Sequence, residues 1–294
     1  MKMLIYSKPK VLIKSNTTLG EGPVWNHKTC ELSFVDIMSN RFFVWKKNIL
    51  KSYKISENIS CLLPAKNKDT WIGTSKNKIL KIVKKNKKIM TKIIKIINEP
   101  KQNRFNDGQC DCLGRLWLST MDSQQKNQTG QLWFVNPHKK PTVVDRNFVI
   151  GNGIDWSPDN KNLYFVASDK RIIYSYSFNI KSGKLTNKKI LIKVPKNRGY
   201  PDGICVDSGG YIWVAYWDGG CVIRHFPNGK INKIIKMPIK RPTSICFGGK
   251  DLNLLFITSA KNFNKTNGKL DKNSGNIFVI KTNITGKKIS FYKS

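Results

Sequence analysis

Residues 106–117, NDGQCDCLGRLW, and residues 202–213, DGICVDSGGYIW, align without a gap. Asp111 falls on Asp207, Gly114 on Gly210 and Trp117 on Trp213. Looser copies of the block open at Glu21 (EGPVWNHKTCELSF), Asn152 (NGIDWSPDNKNLYF) and Thr243 (TSICFGGKDLNLLF), and a weaker one opens at Ser60 (SCLLPAKNKDTW). The six starts are separated by 39, 46, 46, 50 and 41 residues, the period of one four-stranded propeller blade.

Between the block starts, short apolar runs rich in aromatic and β-branched residues are bounded by Gly, Asn, Asp and Lys turns. ELSFVDI, RFFVWK and ILKSYKI follow Glu21, and YIWVAYW, GCVIRHF and KINKIIK follow Asp202. No stretch of helical periodicity is long enough to compete. The pattern predicts an all-β chain, a six-bladed β-propeller spanning residues 1–294 as one domain. An unpaired edge would invite aggregation, so the N-terminal run MLIYS or KVLIK is expected to close the last blade.

Composition limits the alternatives. The chain is 39% hydrophobic and 11% aromatic, enough apolar surface to fold. Lys2, Lys8, Lys10 and Lys14 interrupt the opening run, so it lacks the continuous apolar segment of a signal peptide, and no stretch is long enough to span a membrane. Seven cysteines, with Cys110 and Cys112 only one residue apart, form neither a disulfide framework nor a CxxC metal pattern. They read as reduced, mostly buried thiols of a cytoplasmic protein with no membrane partner.

The net charge of +35 suggests a polyanion partner. Only eight of the 53 basic residues are arginine, however, and base and phosphate recognition favours the arginine fork. The lysines are scattered over strands and turns without forming one stripe, so they read as a solvated surface with no specific nucleic-acid partner.

If the blades are related by rotation about one axis, the residue opening each block heads an innermost strand. Those residues are Glu21, Ser60, Asn106, Asn152, Asp202 and Thr243. Two carboxylates facing one funnel repel unless one keeps its proton or a cation lies between them. Glu21, Asn152 and Asp202 offer oxygen ligation suited to calcium, magnesium or manganese. His27, His138 and His225 lie off these positions. The competing reading is that Asx-Gly and Glu-Gly pairs merely cap turns; it suits each residue alone better than the set. Arg104, two residues before Asn106, is expected to face the funnel too.

Five blocks resemble the family that contains gluconolactonases and the senescence marker protein regucalcin: LGEGPVW (19–25), RFNDGQCDCLGRLWLSTM (104–121), GNGIDWSPDNKNLYF (151–165), YPDGICVDSGGYIWVAYW (200–217) and RPTSICFGG (241–249). They occur in family order over most of the chain. The resemblance implies a propeller whose single divalent metal (calcium, zinc, magnesium, manganese or iron(II)) is held by Glu21, Asn152 and Asp202. It implies sugar contacts from Arg104 and Asn106, with Asp202 as catalytic base. Two departures stand out. Relatives carry a glutamate shortly after TM, where this chain reads TMDSQQ, so Asp122 or Gln124 is expected to take over that substrate contact; and Ala167 replaces an aspartate often found after the third block's strand.

The expected activity is metal-dependent hydrolysis of a sugar-acid lactone, with that small molecule as partner. Asp202 serves as ligand and general base; coordination lowers a carboxylate's basicity, which leaves metal-activated water as the competing base. The alternatives are a non-catalytic calcium-binding regulatory protein and an NHL-like interaction scaffold.

Overall fold

The computed structural model describes residues 4–86, 88–262 and 270–293. Their regular structure is 24 strands and one 3-10 turn, in six four-stranded antiparallel sheets. The expected six-bladed β-propeller is therefore observed.

Blade one comprises β2 (Gly20–Asn26), β3 (Glu31–Asp36), β4 (Arg41–Lys46) and β5 (Ile49–Lys54); blade two, β6 (Cys61–Pro64), β7 (Thr70–Ser75), β8 (Lys78–Lys85) and β9 (Lys88–Ile96). Blade three holds β10 (Asn103–Cys110), β11 (Leu116–Asp122), β12 (Gly130–Val135) and β13 (Thr142–Phe148); blade four, β14 (Gly151–Trp156), β15 (Asn162–Ala167), β16 (Ile172–Phe178) and β17 (Leu185–Lys193). Blade five is β18 (Tyr200–Val206), β19 (Ile212–Trp217), β20 (Cys221–His225) and β21 (Ile231–Lys236). Blade six pairs β22 (Pro242–Gly248), β23 (Leu254–Ser259) and β24 (Ile277–Lys281) with the N-terminal β1 (Lys10–Ile13), and Tyr6 bridges to Thr282.

The first strand of each blade contacts the first strand of the next, and β22 returns to β2, so six inner strands surround one channel. Each interface between blades holds its own apolar cluster. Trp117, Phe134, Trp156 and Phe165 fill that between blades three and four, and Trp213, Val222, Phe247 and Phe278 that between five and six. Alternating apolar residues on both faces of each sheet dictate this arrangement, because every face has a neighbour to cover it.

The repeated Asp-x-x-Gly-x-x-Trp signature is structural. Asp207 Oδ1 accepts the backbone N–H groups of Gly209 and Tyr211, and its Oδ2 accepts Trp213 Nε1 at 2.9 Å and Arg224 Nη2 at 2.8 Å. Asp111 binds Leu113 N, Arg115 N and Trp117 Nε1 in the same way, with Arg115 Nε at 2.7 Å. Gly114 and Gly210 adopt φ of 78° and 83°, which L side chains adopt only with strain. One carboxylate thus closes the turn and anchors the indole of the next strand.

In five blades the inner strand carries a one-residue bulge against its neighbour, between Glu21 and Val24, Phe105 and Gly108, Gly151 and Ile154, Pro201 and Ile204, and Pro242 and Ile245. The block-opening residues Asn106, Asn152, Asp202 and Thr243 lie within these bulges, and Glu21 immediately precedes its own. A bulge turns the local strand and re-aims its side chains, and here it does so at the channel mouth.

At the other end of the channel, the segment after β24 runs across the blades. Gly286 bridges Asp207, Lys287 Nζ meets Asp155 Oδ1 at 2.8 Å, Tyr292 N donates to Pro64 O, and Lys293 N donates to Gly114 O. All seven cysteines are unpaired; Cys61, Cys110, Cys221 and Cys246 are buried, whereas Cys30 and Cys112 are exposed. Among the described residues no helix is long and apolar enough to cross a membrane.

Candidate active site at the funnel mouth

Of the six block-opening residues, two are consumed by the scaffold. Ser60 Oγ bonds Thr74 Oγ1 at 2.8 Å, and Thr243 Oγ1 bonds Gly20 O at 2.6 Å and Thr258 Oγ1 at 2.8 Å. The other four, Glu21, Asn106, Asn152 and Asp202, line one cavity of about 520 Å³ together with Arg104. That volume lies within the roughly 300–1,000 Å³ of small-molecule sites. A separate cavity of about 310 Å³ lies beneath the C-terminal segment, where the Asp155 carboxylate is neutralised by Lys287.

The electrostatics of the mouth are unusual. Burial raises the Glu21 carboxyl well above the ordinary range, and the nearby Asp202 and Asp107 raise it further, against the Gly22 N–H and Arg104. Burial and then Asp107 raise Asp202 likewise, opposed by a hydrogen bond from Asn152. Burial pushes Asp107 up to about 6, opposed by the Gly108 N–H at 2.7 Å. Asp202 is 5% exposed, and its Oδ1 is a buried atom with no hydrogen-bond partner. An orphaned buried carboxylate oxygen is costly.

These residues fit a divalent cation. Asp202 Oδ1 and the Glu21 carboxylate supply hard oxygens, and the Asn152 Nδ2 bond to Ser168 Oγ at 3.2 Å leaves the amide oxygen as a further donor. Among the described residues no three His, Cys, Asp or Glu side chains form a metal-holding cluster, so the candidate set depends on this amide.

Arg104 Nη1 donates to Phe105 O and to Asn106 Oδ1, both at 2.9 Å, and Asn106 Nδ2 donates to Gly151 O at 3.0 Å. Burial lowers the Arg104 pKa and Glu21 raises it. Its remaining N–H groups are available at the cavity wall.

Asp122 does not reach the funnel. Its carboxylate caps its own turn, accepting the backbone N–H groups of Gln124, Lys126 and Asn127, and these bonds lower its pKa. Gln124 lines an adjoining recess of about 540 Å³ that meets the funnel at Arg104 and Ile37, and Gln125 lines the funnel itself. The chain leaves β11 so tightly that the carboxylate of Asp122, one of the two candidates for the place of the relatives' glutamate, satisfies backbone donors, while the other candidate, Gln124, stands in the recess beside the funnel. Ala167 is fully buried in the apolar core, while Ser168 lines the funnel and holds Asn152.

Sequence reasoning missed Asp107. Its signal was available, because the second position of the other blocks holds Gly22, Cys61, Gly153, Gly203 and Ser244 and no other charge. It also missed Tyr200, Trp217 and Asp218, which line the mouth and belong to no repeated position of the block.

Residues 19–261 match the family described as the SMP-30/Gluconolactonase/LRE-like region. The chain is 33% identical over 259 residues to regucalcin of Danio rerio, with 86% of each chain covered. A solved luciferin-regenerating enzyme superposes with a TM-score of 0.88 at 27% identity, covering 97% of this chain and 100% of that one. A calcium-binding regucalcin from Agrobacterium tumefaciens superposes at 0.91 with 98% of each chain covered; at 22% identity that likeness speaks for the fold. With the match running from the first block through the sixth, the chain belongs to the SMP-30/gluconolactonase/LRE-like family.

Proposed function

We propose that this protein hydrolyses the lactone of a sugar acid at the funnel mouth, with a divalent cation held by Glu21, Asn152 and Asp202. The observation that carries the reading is the partnerless, buried Oδ1 of Asp202 set against Glu21 and Asp107. Three carboxylates with Arg104 as their one counter-charge among the described residues would destabilise the ionised fold, and a cation offsets that cost. Membership of a family whose description includes gluconolactonase supports the reaction class.

When bound, the cation would polarise the ester carbonyl and make water more acidic. Arg104 and Asn106 orient the lactone by its hydroxyls and carbonyl oxygen, which holds the ester carbon within reach of Asp202. Asp202 accepts the proton of the attacking water as the new C–O bond forms. The ring C–O bond then breaks, the proton passes to the ring oxygen, and an open hydroxy acid leaves. Asp202, 5% exposed, is shielded from bulk water.

The test is metal analysis of purified protein followed by a panel of aldonolactones monitored by proton release, with Asp202→Asn beside the wild type. The variant keeps an oxygen donor and cannot accept a proton. Turnover should fall by about 10²–10⁴ with the metal retained. Near-full activity in Asp202→Asn would defeat the base assignment; cation binding without turnover of any lactone would favour a non-catalytic cation-binding propeller.

A further inference from the structure

Tyr200 and Trp217 are directly opposed partners on β18 and β19 of blade five, and both line the funnel cavity. Each ring is held by an arginine from an adjacent blade. The Arg171 guanidinium of blade four lies 3.8 Å from the Tyr200 ring centroid, and that of Arg241, just before β22 of blade six, lies 4.7 Å from that of Trp217. Arg171 is itself anchored on Gly199 O, and Arg241 Nε on Asp218 Oδ1 at 2.7 Å. Cation–π contact on one side fixes each ring without hiding it, and Tyr200 remains 39% exposed. Asp202 is two residues from Tyr200 on the same strand.

We propose that Tyr200 and Trp217 form a rigid stacking platform that binds the C–H face of the substrate ring and so determines specificity. The proposal rests on the lactonase reading and adds the substrate feature this side of the site reads: a flat apolar ring face. Arg104 and Asn106, on blade three, read the hydroxyls. An amphipathic ring needs both, because polar contacts alone leave its carbon face facing water. Preorganised rings also lose little conformational freedom on binding.

The test uses the full-length, metal-loaded protein. Trp217→Ala should raise KM for a six-membered aldonolactone by about tenfold, the upper range of an aromatic contact, with kcat and metal content close to wild type. Trp217→Phe and Tyr200→Phe should remain within about twofold and guard against misfolding of the alanine variant. Binding of an unhydrolysable aldonolactam to Asp202→Asn protein, followed by calorimetry, should weaken to the same extent when Trp217→Ala is added. A wild type that turns over lactones while Trp217→Ala leaves KM and lactam binding unchanged overturns the platform alone. A wild type that neither hydrolyses lactones nor binds the lactam overturns the platform and the lactonase reading together.

Discussion

Asp107 and His225 illustrate how burial sets charge in this molecule. Asp107 extends a pair of acidic ligand candidates into a trio in which Asp202 is buried and Glu21 and Asp107 are half-buried, and its raised pKa reflects desolvation before any neighbour. His225, 2% exposed, bonds Tyr216 Oη through Nε2 and Gly229 O through Nδ1, each at 3.0 Å, and burial pushes its pKa down to about 4. Between that value and the ordinary histidine pKa, the unfolded chain carries a proton that the fold does not. Stability therefore falls as pH drops through this window, by about 1.4 kcal/mol per pH unit and roughly 3 kcal/mol in all. The funnel carboxylates have raised pKa values and act with the opposite sign. Denaturant titrations of the wild type and His225→Gln at pH 7 and pH 4.5 isolate the histidine by difference. The variant should be less stable at pH 7 and lose less on acidification; parallel losses would exclude His225 as the group responsible.

At the scale of the element, the turn that joins the first two strands of a blade matters more than the surface charge around it. Asp207 and the Arg224 side chain, 0% and 4% exposed, share a buried ion pair with the Trp213 indole. Asp207→Ala leaves a buried guanidinium and an indole N–H without their acceptor, and should cost about 3–5 kcal/mol in equilibrium unfolding. Glu31→Ala, which removes the half-buried partner of Lys46 at 3.1 Å and the acceptor of Thr29 Oγ1, should cost about 1 kcal/mol. Equal losses would show that the turn carboxylate does not anchor the blade. The bulges are the second device of this scale. In the first blade the shift lies between Glu21 and Val24, where Pro23 has no N–H for the ladder; blade two pairs Cys61–Pro64 without a shift, and its opening Ser60 stays in the scaffold.

Across the whole molecule, two segments distant in sequence complete the ring. β1 covers the edge of β24, and the C-terminal segment ties blades two to six beneath the channel. The charge is a whole-molecule property as well. Among the described residues the ion pairs engage eight basic side chains, so most of the described lysines have no acidic partner. Their scatter predicts weak, sequence-independent attraction to duplex DNA that disappears by about 0.2 M salt, as counterion release dictates. Electrophoretic mobility shifts across a salt series check this; salt-resistant, sequence-specific binding would make nucleic acid a partner.

The six block starts, the strand runs between them and the Asp-x-x-Gly-x-x-Trp turns were legible in the sequence, because blade geometry is local and each copy repeats the same demand on side-chain alternation and turn chemistry. For the same reason Glu21, Asn106, Asn152 and Asp202 could be brought to one mouth by alignment alone. Which hydroxyl is spent on the scaffold, whether Asp122 caps a turn or faces the funnel, and how Arg171 and Arg241 hold Tyr200 and Trp217 depended on neighbours from other blades. So did the C-terminal segment beneath the channel. Those outcomes are set by hydrogen-bond partners and burial that exist only once the ring has closed, and no periodicity in the chain encodes them.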